Sequence, residues 1–190
     1  NRKRTGNLKI PHCNMEKMPS KFYIGVIGGA NPMDIYLDMA YKVGKLLAKN
    51  DCVVICGGLN GVMKEVARGA SEEGGVCIGL LPGFTRKMQN EFLTFSLPTG
   101  MGYARNFLIT RASEALIAID GSNGTISEES FGLSEGKDIV SLGSLPLKKT
   151  RNKEGNFYPV NTPEEAVKKA IECATEYREK AREYFTEFDS

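Results

Sequence analysis

The chain has 190 residues, with 25 Lys and Arg against 23 Asp and Glu and a net charge of +2. That length predicts one main domain, and the charge balance lacks the basic excess of sequence-independent nucleic-acid binders. At 41 % hydrophobic and 25 % charged residues, the composition is that of a globular protein and too apolar for a disordered one.

The first twenty residues mix charges, Pro and Ser without a period, and read as a flexible arm, residues 1–20, before a single domain, residues 21–190. The start, NRKRTGNLK, is basic but has no apolar segment of a secretory signal, so a cytoplasmic location is expected. The longest apolar stretch, Val76 to Phe84, is broken by Gly and Pro and is short of the about 20 residues of a membrane-spanning helix. No membrane or nucleic-acid partner is expected. Five Cys without CxxC spacing, and a single His, His12, inside the arm, predict no metal site. Cys52 and Cys56 fall in one predicted strand about 13 Å apart, beyond disulfide reach, and read as small core residues in a reducing compartment.

From Phe22 onward short apolar runs ending in Gly alternate with stretches of helical spacing, which is the sequence form of repeated βα units. FYIGVIGG (22–29) is a strand, followed by Asn31 and Pro32 as helix cap and first helical residue. Leu37, Ala40, Val43 and Leu47 then share one helix face. CVVICGG (52–58) feeds a helix over about 61–74 with Val62, Val66, Ala67 and Ala70 inward. VCIGLLPG (76–83) is a third strand and FLTFSL (92–97) a weaker one, preceding a helix in YARNFLITRAS. ALIAID (115–120) runs into the loop and helix of GSNGTISEESFGLSEG, and DIVSLG (138–143) reads as the last strand. Residues 144–161 look like a surface loop. Thr162, Pro163 and Glu165 form a capping box for a terminal helix whose stripe runs from Val167 through Ala170, Ile171, Ala174, Tyr177, Ala181 and Tyr184 to Phe188. This helix packs on the sheet or on another subunit. The fold class is α/β, a Rossmann-like three-layer αβα arrangement with a mostly parallel sheet.

Gly is enriched, 21 of 190 residues against a usual level of about 7 %, and the excess sits at the βα turns. In an open parallel sheet ligands gather at the carboxyl ends of the strands, where helix N-termini present unpaired amides. Three loops qualify: IGGANP with Gly28 and Gly29; CGGLNGVM with Gly57, Gly58, Gly61 and Met63; and DGSNGT with Gly121, Ser122, Asn123, Gly124 and Thr125. Each lets backbone N–H groups approach an anion closely, and a phosphate is the natural candidate. The bland alternative is that Gly simply makes tight turns. It is weakest for DGSNGT, where Glu128 and Glu129 follow within reach of the opening helix. Neither GxGxxG nor GxxxxGK[ST] occurs, so an ordinary dinucleotide fingerprint and an NTPase P-loop lack support.

A further cluster, PTGMGYARN, holds Gly100, Met101, Arg105 and Asn106. Arg105 at a helix start is disfavoured unless an anion compensates it, and a bound phosphate is such an anion; an ion pair with a carboxylate is the alternative. Arg111 reads as an ion-paired surface residue, and Tyr103 as packing rather than stacking on a base.

CGGLNGVMKEVARGA, LPTGMGYARN and DGSNGTISE, in this order and spacing, resemble the Rossmann-like family long labelled lysine decarboxylase-like. That family includes the Lonely Guy phosphoribohydrolases of cytokinin nucleoside monophosphates and the molybdenum cofactor carrier proteins. The similarity spans about residues 22–143 and is closer to the carrier-type branch. It implies that the hydrolases' PGGxGTxxE motif corresponds to residues 120–128, with the loop on a 5′-phosphate, Glu128 toward the ribose and Arg105 as motif arginine. Asp120 stands for Pro, Ser122 for Gly and Asn106 for Lys, and the charge changes at 120 and 106 count against hydrolysis.

The expected function is therefore binding of a small phosphorylated molecule, nucleotide-like or pterin-like, as in a molybdenum cofactor carrier. No cofactor is required; the bound species would be a nucleotide monophosphate or the molybdenum cofactor. The alternative is a nucleoside 5′-monophosphate phosphoribohydrolase with Glu128 and Arg105 as catalytic residues, where a carboxylate stabilises positive charge on the ribose. A third reading is a nucleotide-sensing module. A homo-oligomer, dimer or tetramer, is expected from the terminal helix and from the resemblance.

Overall fold

The computed structural model describes residues 21–121 and 123–188, the last seven of these as helical backbone only. The expected arm, with His12 and Cys13, and Ser122 lie outside the described residues. In chain order the elements are β1 (Tyr23–Gly28), α1 (Asp34–Lys49), β2 (Val53–Cys56), α2 (Val62–Glu72), β3 (Val76–Leu81), β4 (Phe95–Pro98), a single 3-10 turn (Gly102–Ala104), α3 (Arg105–Ala112), β5 (Ala115–Ile119), α4 (Asn123–Ser134), β6 (Ile139–Leu142), β7 (Phe157–Pro159) and α5 (Pro163–Phe188). The strands form one sheet in the order β4-β3-β2-β1-β5-β6-β7, and every pairing is parallel.

Central strands buried on both faces must be apolar throughout, and all four residues of β2 and all five of β5 are buried. One face of the sheet is covered by α1, α2 and α5, through Ala40, Val43, Leu47, Val62, Val66, Ala170 and Ala174 among others. Among the described residues the other carries only the helices α3 and α4, through Ile109 and Leu133 on Leu116, Ala118 and Ile139. This thinner layer leaves Phe95 and Leu97 of edge strand β4 exposed, 61 % and 54 %. The first half of the α5 stripe packs on the sheet, where Ala166, Val167, Ala170, Cys173 and Ala174 are buried.

Three local expectations change. Helix α1 starts at Asp34, with Met33 extended at its cap and no side-chain cap bond, so Asn31 and Pro32 belong to the preceding loop. β6 is not the last strand: within the expected loop 144–161, β7 pairs with β6, Ile139 opposite Phe157. The capping box of α5 is present in altered form. Thr162 Oγ1 accepts from the Glu165 N–H at 3.2 Å, while the Glu165 carboxylate accepts from the Asn161 N–H at 2.9 Å, one residue earlier than the usual pattern.

The strand order reverses between β1 and β5, whose residues Gly28 and Ile119 are register partners. Such a switch point opens a crevice at the carboxyl ends of the two strands.

Candidate functional site

At this crevice the loops after β1, β2 and β5 and the start of α3 enclose a hollow of about 200 Å³. Of the residues expected from sequence, Gly28, Gly57, Met63, Arg105, Asn106, Gly124, Thr125 and Glu128 line it. Gly29, Gly58, Gly61, Gly100, Met101, Gly121 and Asn123 do not line it; they shape the loops behind it or stand at its edge. A Cβ on Gly61 would lie 2.4 Å from the carbonyl oxygens of Gly29 and Ala30, and one on Gly100 2.5 Å from the Phe84 ring.

Two glycines within the lining have different duties. A Cβ on Gly28 would meet the Ile119 carbonyl oxygen at 2.4 Å and both Val62 methyls at 2.8 Å, so this glycine lets β1 pack between β5 and α2. A Cβ on Gly57 would instead meet Arg105 Nη2 at 2.5 Å and Met63 Sδ at 2.6 Å. Gly57 is what lets the guanidinium lie down over the β2 loop.

Arg105 opens α3, where a cation opposes the helix dipole. Its Nη1 lies 3.6 Å from Glu128 Oε1 and donates to the side-chain oxygen of Asn106, and both members of the charged pair are nearly buried. The expected ion pair thus exists, with a carboxyl inside the site rather than on the surface. It leaves Arg105 Nε and Thr125 Oγ1 buried without a hydrogen-bond partner among the described residues. Buried polar groups are seldom left so, and these two belong to residues lining one hollow at the N-terminus of α4, where the first amides of the helix are unpaired. The combination suits an oxyanion.

Burial dominates the protonation of this region. It pushes Glu128 up to about 8, against the opposing pull of Arg105, and lowers Arg105 from its ordinary value, partly offset by Glu128. A glutamic acid neutral at pH 7 does not repel a phosphate and can donate a hydrogen bond to it. Glu129, also buried, has no hydrogen-bond partner on either oxygen among the described residues; burial raises it to about 7, with the nearby Ser144 hydroxyl acting in the opposite sense.

Sequence reasoning missed several contributors. Val26, Ile27, Ala30 and Leu59 line the hollow yet read as strand core or turn. Tyr103 was expected to pack; it is 91 % exposed and lines the mouth. Its place in a Gly-flanked 3-10 turn is the one signal that pointed away from the core. Arg111 pairs with Glu135 at the exposed far end of α3, as expected. A larger hollow of about 930 Å³ opens there, between Arg111, Lys153 and Tyr177, but its carboxylates are engaged: Asp138 accepts from Asn156, and Glu154 from Thr150 and Arg151. Among the described residues no buried polar atom without a partner marks it, so the smaller hollow is the candidate site. Among the described residues no group of His, Cys, Asp and Glu could hold a metal ion, and no helix is long and apolar enough to cross a membrane.

The sequence profile of the SLOG cluster4 family matches residues 21–167. The chain belongs to the SLOG cluster4 family. This SLOG protein is 43 % identical over 119 residues to an uncharacterised protein of Archaeoglobus fulgidus, covering 63 % of this chain and 78 % of that one. It is 32 % identical over 96 residues to a probable cytokinin riboside 5′-monophosphate phosphoribohydrolase of Oryza sativa subsp. japonica, covering 49 % of this chain and 42 % of the rice protein. Among solved structures it is similar to the molybdenum cofactor binding protein of Rippkaea orientalis, with TM-score 0.69, 30 % identity, and 78 % and 94 % of the two chains covered. The molybdenum cofactor carrier protein of Chlamydomonas reinhardtii is similar as well, with TM-score 0.70, 28 % identity, and 82 % and 99 % covered. The resemblance to the Lonely Guy and carrier group, and the Rossmann-like fold, therefore hold.

Proposed function

We propose that this SLOG protein binds one small phosphorylated ligand, nucleotide-like or pterin-like, at the β1–β5 crevice and holds it intact, in the manner of a molybdenum cofactor carrier. The observation that carries this reading is the pair of buried, unpartnered donors, Arg105 Nε and Thr125 Oγ1, in residues lining one hollow beside the first turn of α4. The phosphate would take the α4 amides and Arg105. At about 200 Å³ the hollow is below the range of about 300–1,000 Å³ usual for drug-sized ligands. It suits the phosphate-bearing end, with the remaining rings extending past Tyr103. The cofactor-binding and cofactor-carrier roles of the Rippkaea and Chlamydomonas proteins support the carrier reading. Self-association and a cytoplasmic setting complete the proposal; the exposed rings on the α3–α4 layer support the first.

Holding rather than cleaving is favoured by the state of Glu128. Stabilising a cationic ribose calls for an ionised carboxylate, and a residue titrating at about 8 is mostly neutral at pH 7. The same value supports the second reading: a neutral Glu128 could protonate a departing base as a general acid, as the similarity to the rice phosphoribohydrolase would have it. Incubation with nucleoside 5′-monophosphates, with release of free base as the measurement, separates the two. Binding without release supports the carrier, turnover abolished by Glu128→Gln supports the hydrolase, and neither binding nor turnover, with the molybdenum cofactor also refused, defeats both.

A further inference from the structure

The lining of the hollow is graded in polarity. Its charged members, Arg105 and Glu128, are buried, as is Thr125, so the polar groups form the inner end. The lining residues exposed to solvent are Ala30 and Tyr103, with Leu59 half-buried. The outer end is therefore uncharged, and its one large side chain is the Tyr103 ring.

Tyr103 is more exposed than any other large apolar side chain described, and no other aromatic ring packs on it among the described residues. A ring left in water forgoes the burial that lets aromatic side chains dominate cores and interfaces. The backbone beneath it is fixed nonetheless. The N–H groups of Gly100 and Gly102 donate to the carbonyls of Gly83 and Pro82 at 3.0 and 2.9 Å, which ties the turn to the loop after β3. Both glycines have positive φ, +66 and +55, a region that residues with a side chain seldom adopt, so the turn that carries Tyr103 to the rim depends on Gly at both positions. With its backbone held and only two side-chain torsions to order, a tyrosine here offers a flat face at low entropic cost.

A hollow of about 200 Å³ cannot enclose a ligand that carries both a phosphate and a ring system. With the phosphate at the polar inner end, the rest must leave through the uncharged outer end. We propose that Tyr103 is a specificity-determining residue whose ring stacks on a planar heteroaromatic ring of the ligand, a purine or a pterin, where that ring emerges from the hollow. The inference rests on the phosphate site proposed above and deepens it: the site selects a phosphate joined to a flat ring over a sugar phosphate or phosphate alone.

Calorimetric titration of the full chain tests it with AMP, GMP, ribose 5-phosphate and inorganic phosphate as probes, on the wild type, Tyr103→Ala and Tyr103→Phe. GMP is included because guanine carries the amino-oxopyrimidine ring that pterins share. The wild type is expected to bind at least one nucleotide about tenfold or more tightly than ribose 5-phosphate, the worth of one stacked base. Tyr103→Ala should erase that preference and Tyr103→Phe should keep it, whereas a residue that merely shapes the turn would shift all four probes together. The chain contains no Trp, so Tyr103→Trp supplies a single indole reporter, whose emission should be quenched by the preferred nucleotide and unmoved by ribose 5-phosphate. Equal wild-type affinity for both nucleotides and ribose 5-phosphate, a preference that survives Tyr103→Ala, or an indole indifferent to bound nucleotide overturns the role of Tyr103 while leaving the phosphate site standing. Failure of the wild type to bind any of the four removes the phosphate site, and the stacking with it.

Discussion

Arg105 and Glu128 face each other at 3.6 Å, Nη1 to Oε1, with side chains only 9 % and 7 % exposed, yet no hydrogen bond joins them. A buried pair this loosely made is a poor stabiliser and a good receptor, since an oxyanion at the α4 amides can take over the guanidinium without breaking a well-formed bridge. Arg105→Ala is therefore expected to weaken phosphate-ligand binding about a hundredfold while costing little fold stability. Arg105→Lys should recover part of the loss, a point charge replacing a fork. Calorimetry alongside thermal melts checks both, and unchanged affinity in Arg105→Ala would remove the guanidinium from the site.

Stability of the unliganded protein should fall as pH rises toward 8, through two buried carboxyl groups. Glu128 titrates at about 8 and Glu129 at about 7 in the fold, against about 4.3 when unfolded. Between those values the folded form keeps protons that the unfolded form releases, so stability falls as pH rises. Lys137 has the opposite sign. It is buried, its ammonium donates to the Thr110 carbonyl at 2.6 Å and the Arg111 carbonyl at 2.9 Å, and burial lowers it to about 8 from about 10.4. The unfolded form holds the extra proton across that window, so this group opposes the decline, against the buried Cys52 and Cys173 thiols, which burial raises to about 11 and about 12 and which act with the carboxyl groups. Glu128→Gln should flatten the decline below pH 8 and Lys137→Met should steepen it above pH 8, read from Tm against pH.

Two glycine-to-alanine changes should separate folding from binding. Gly28→Ala drives a methyl into the Ile119 carbonyl and is expected to cost about 2–4 kcal/mol of stability. Gly57→Ala meets the movable end of Arg105, so Tm should change little while phosphate affinity drops about tenfold or more. The reverse pattern would show that Gly57 belongs to the architecture.

On the α3–α4 layer Phe107 and Phe131 pack edge to face, centroids 5.5 Å apart, and remain partly exposed. If this layer is the oligomer contact, sedimentation should give a multiple of 20.8 kDa for the wild type, and Phe107→Ser with Phe131→Ser should shift it toward the monomer. An unchanged sedimentation profile in the double variant places any contact elsewhere.

The βα alternation was legible because each central strand is a short, continuous apolar run bounded by Gly. The β2 run and the α2 stripe of Val62, Val66, Ala67 and Ala70 needed no long-range information. β7 was not legible: three residues, one of them Pro159, inside a polar stretch have no period, and only the open edge of β6 makes them a strand. The start of α1 was misread because Asn31-Pro32 carries a local capping signal that the chain does not use. In the site, the glycines and Arg105 stood out by type and spacing. Val26, Ile27 and Leu59 did not, since an apolar side chain at a strand end looks the same whether it faces a core or a ligand. The depth of Glu128, and hence its protonation, comes from packing between α3, α4 and the sheet, which no local pattern encodes.

The thin α3–α4 layer turns one pair of helices toward two audiences. Inward they carry Arg105 and Glu128; outward they carry Phe107 and Phe131. Should subunits meet through those rings, occupancy and assembly would be thermodynamically bound to each other, and whatever factor a ligand lends to association, association must return to the ligand. Apparent affinity would then drift with protein concentration, making dilution itself an effector.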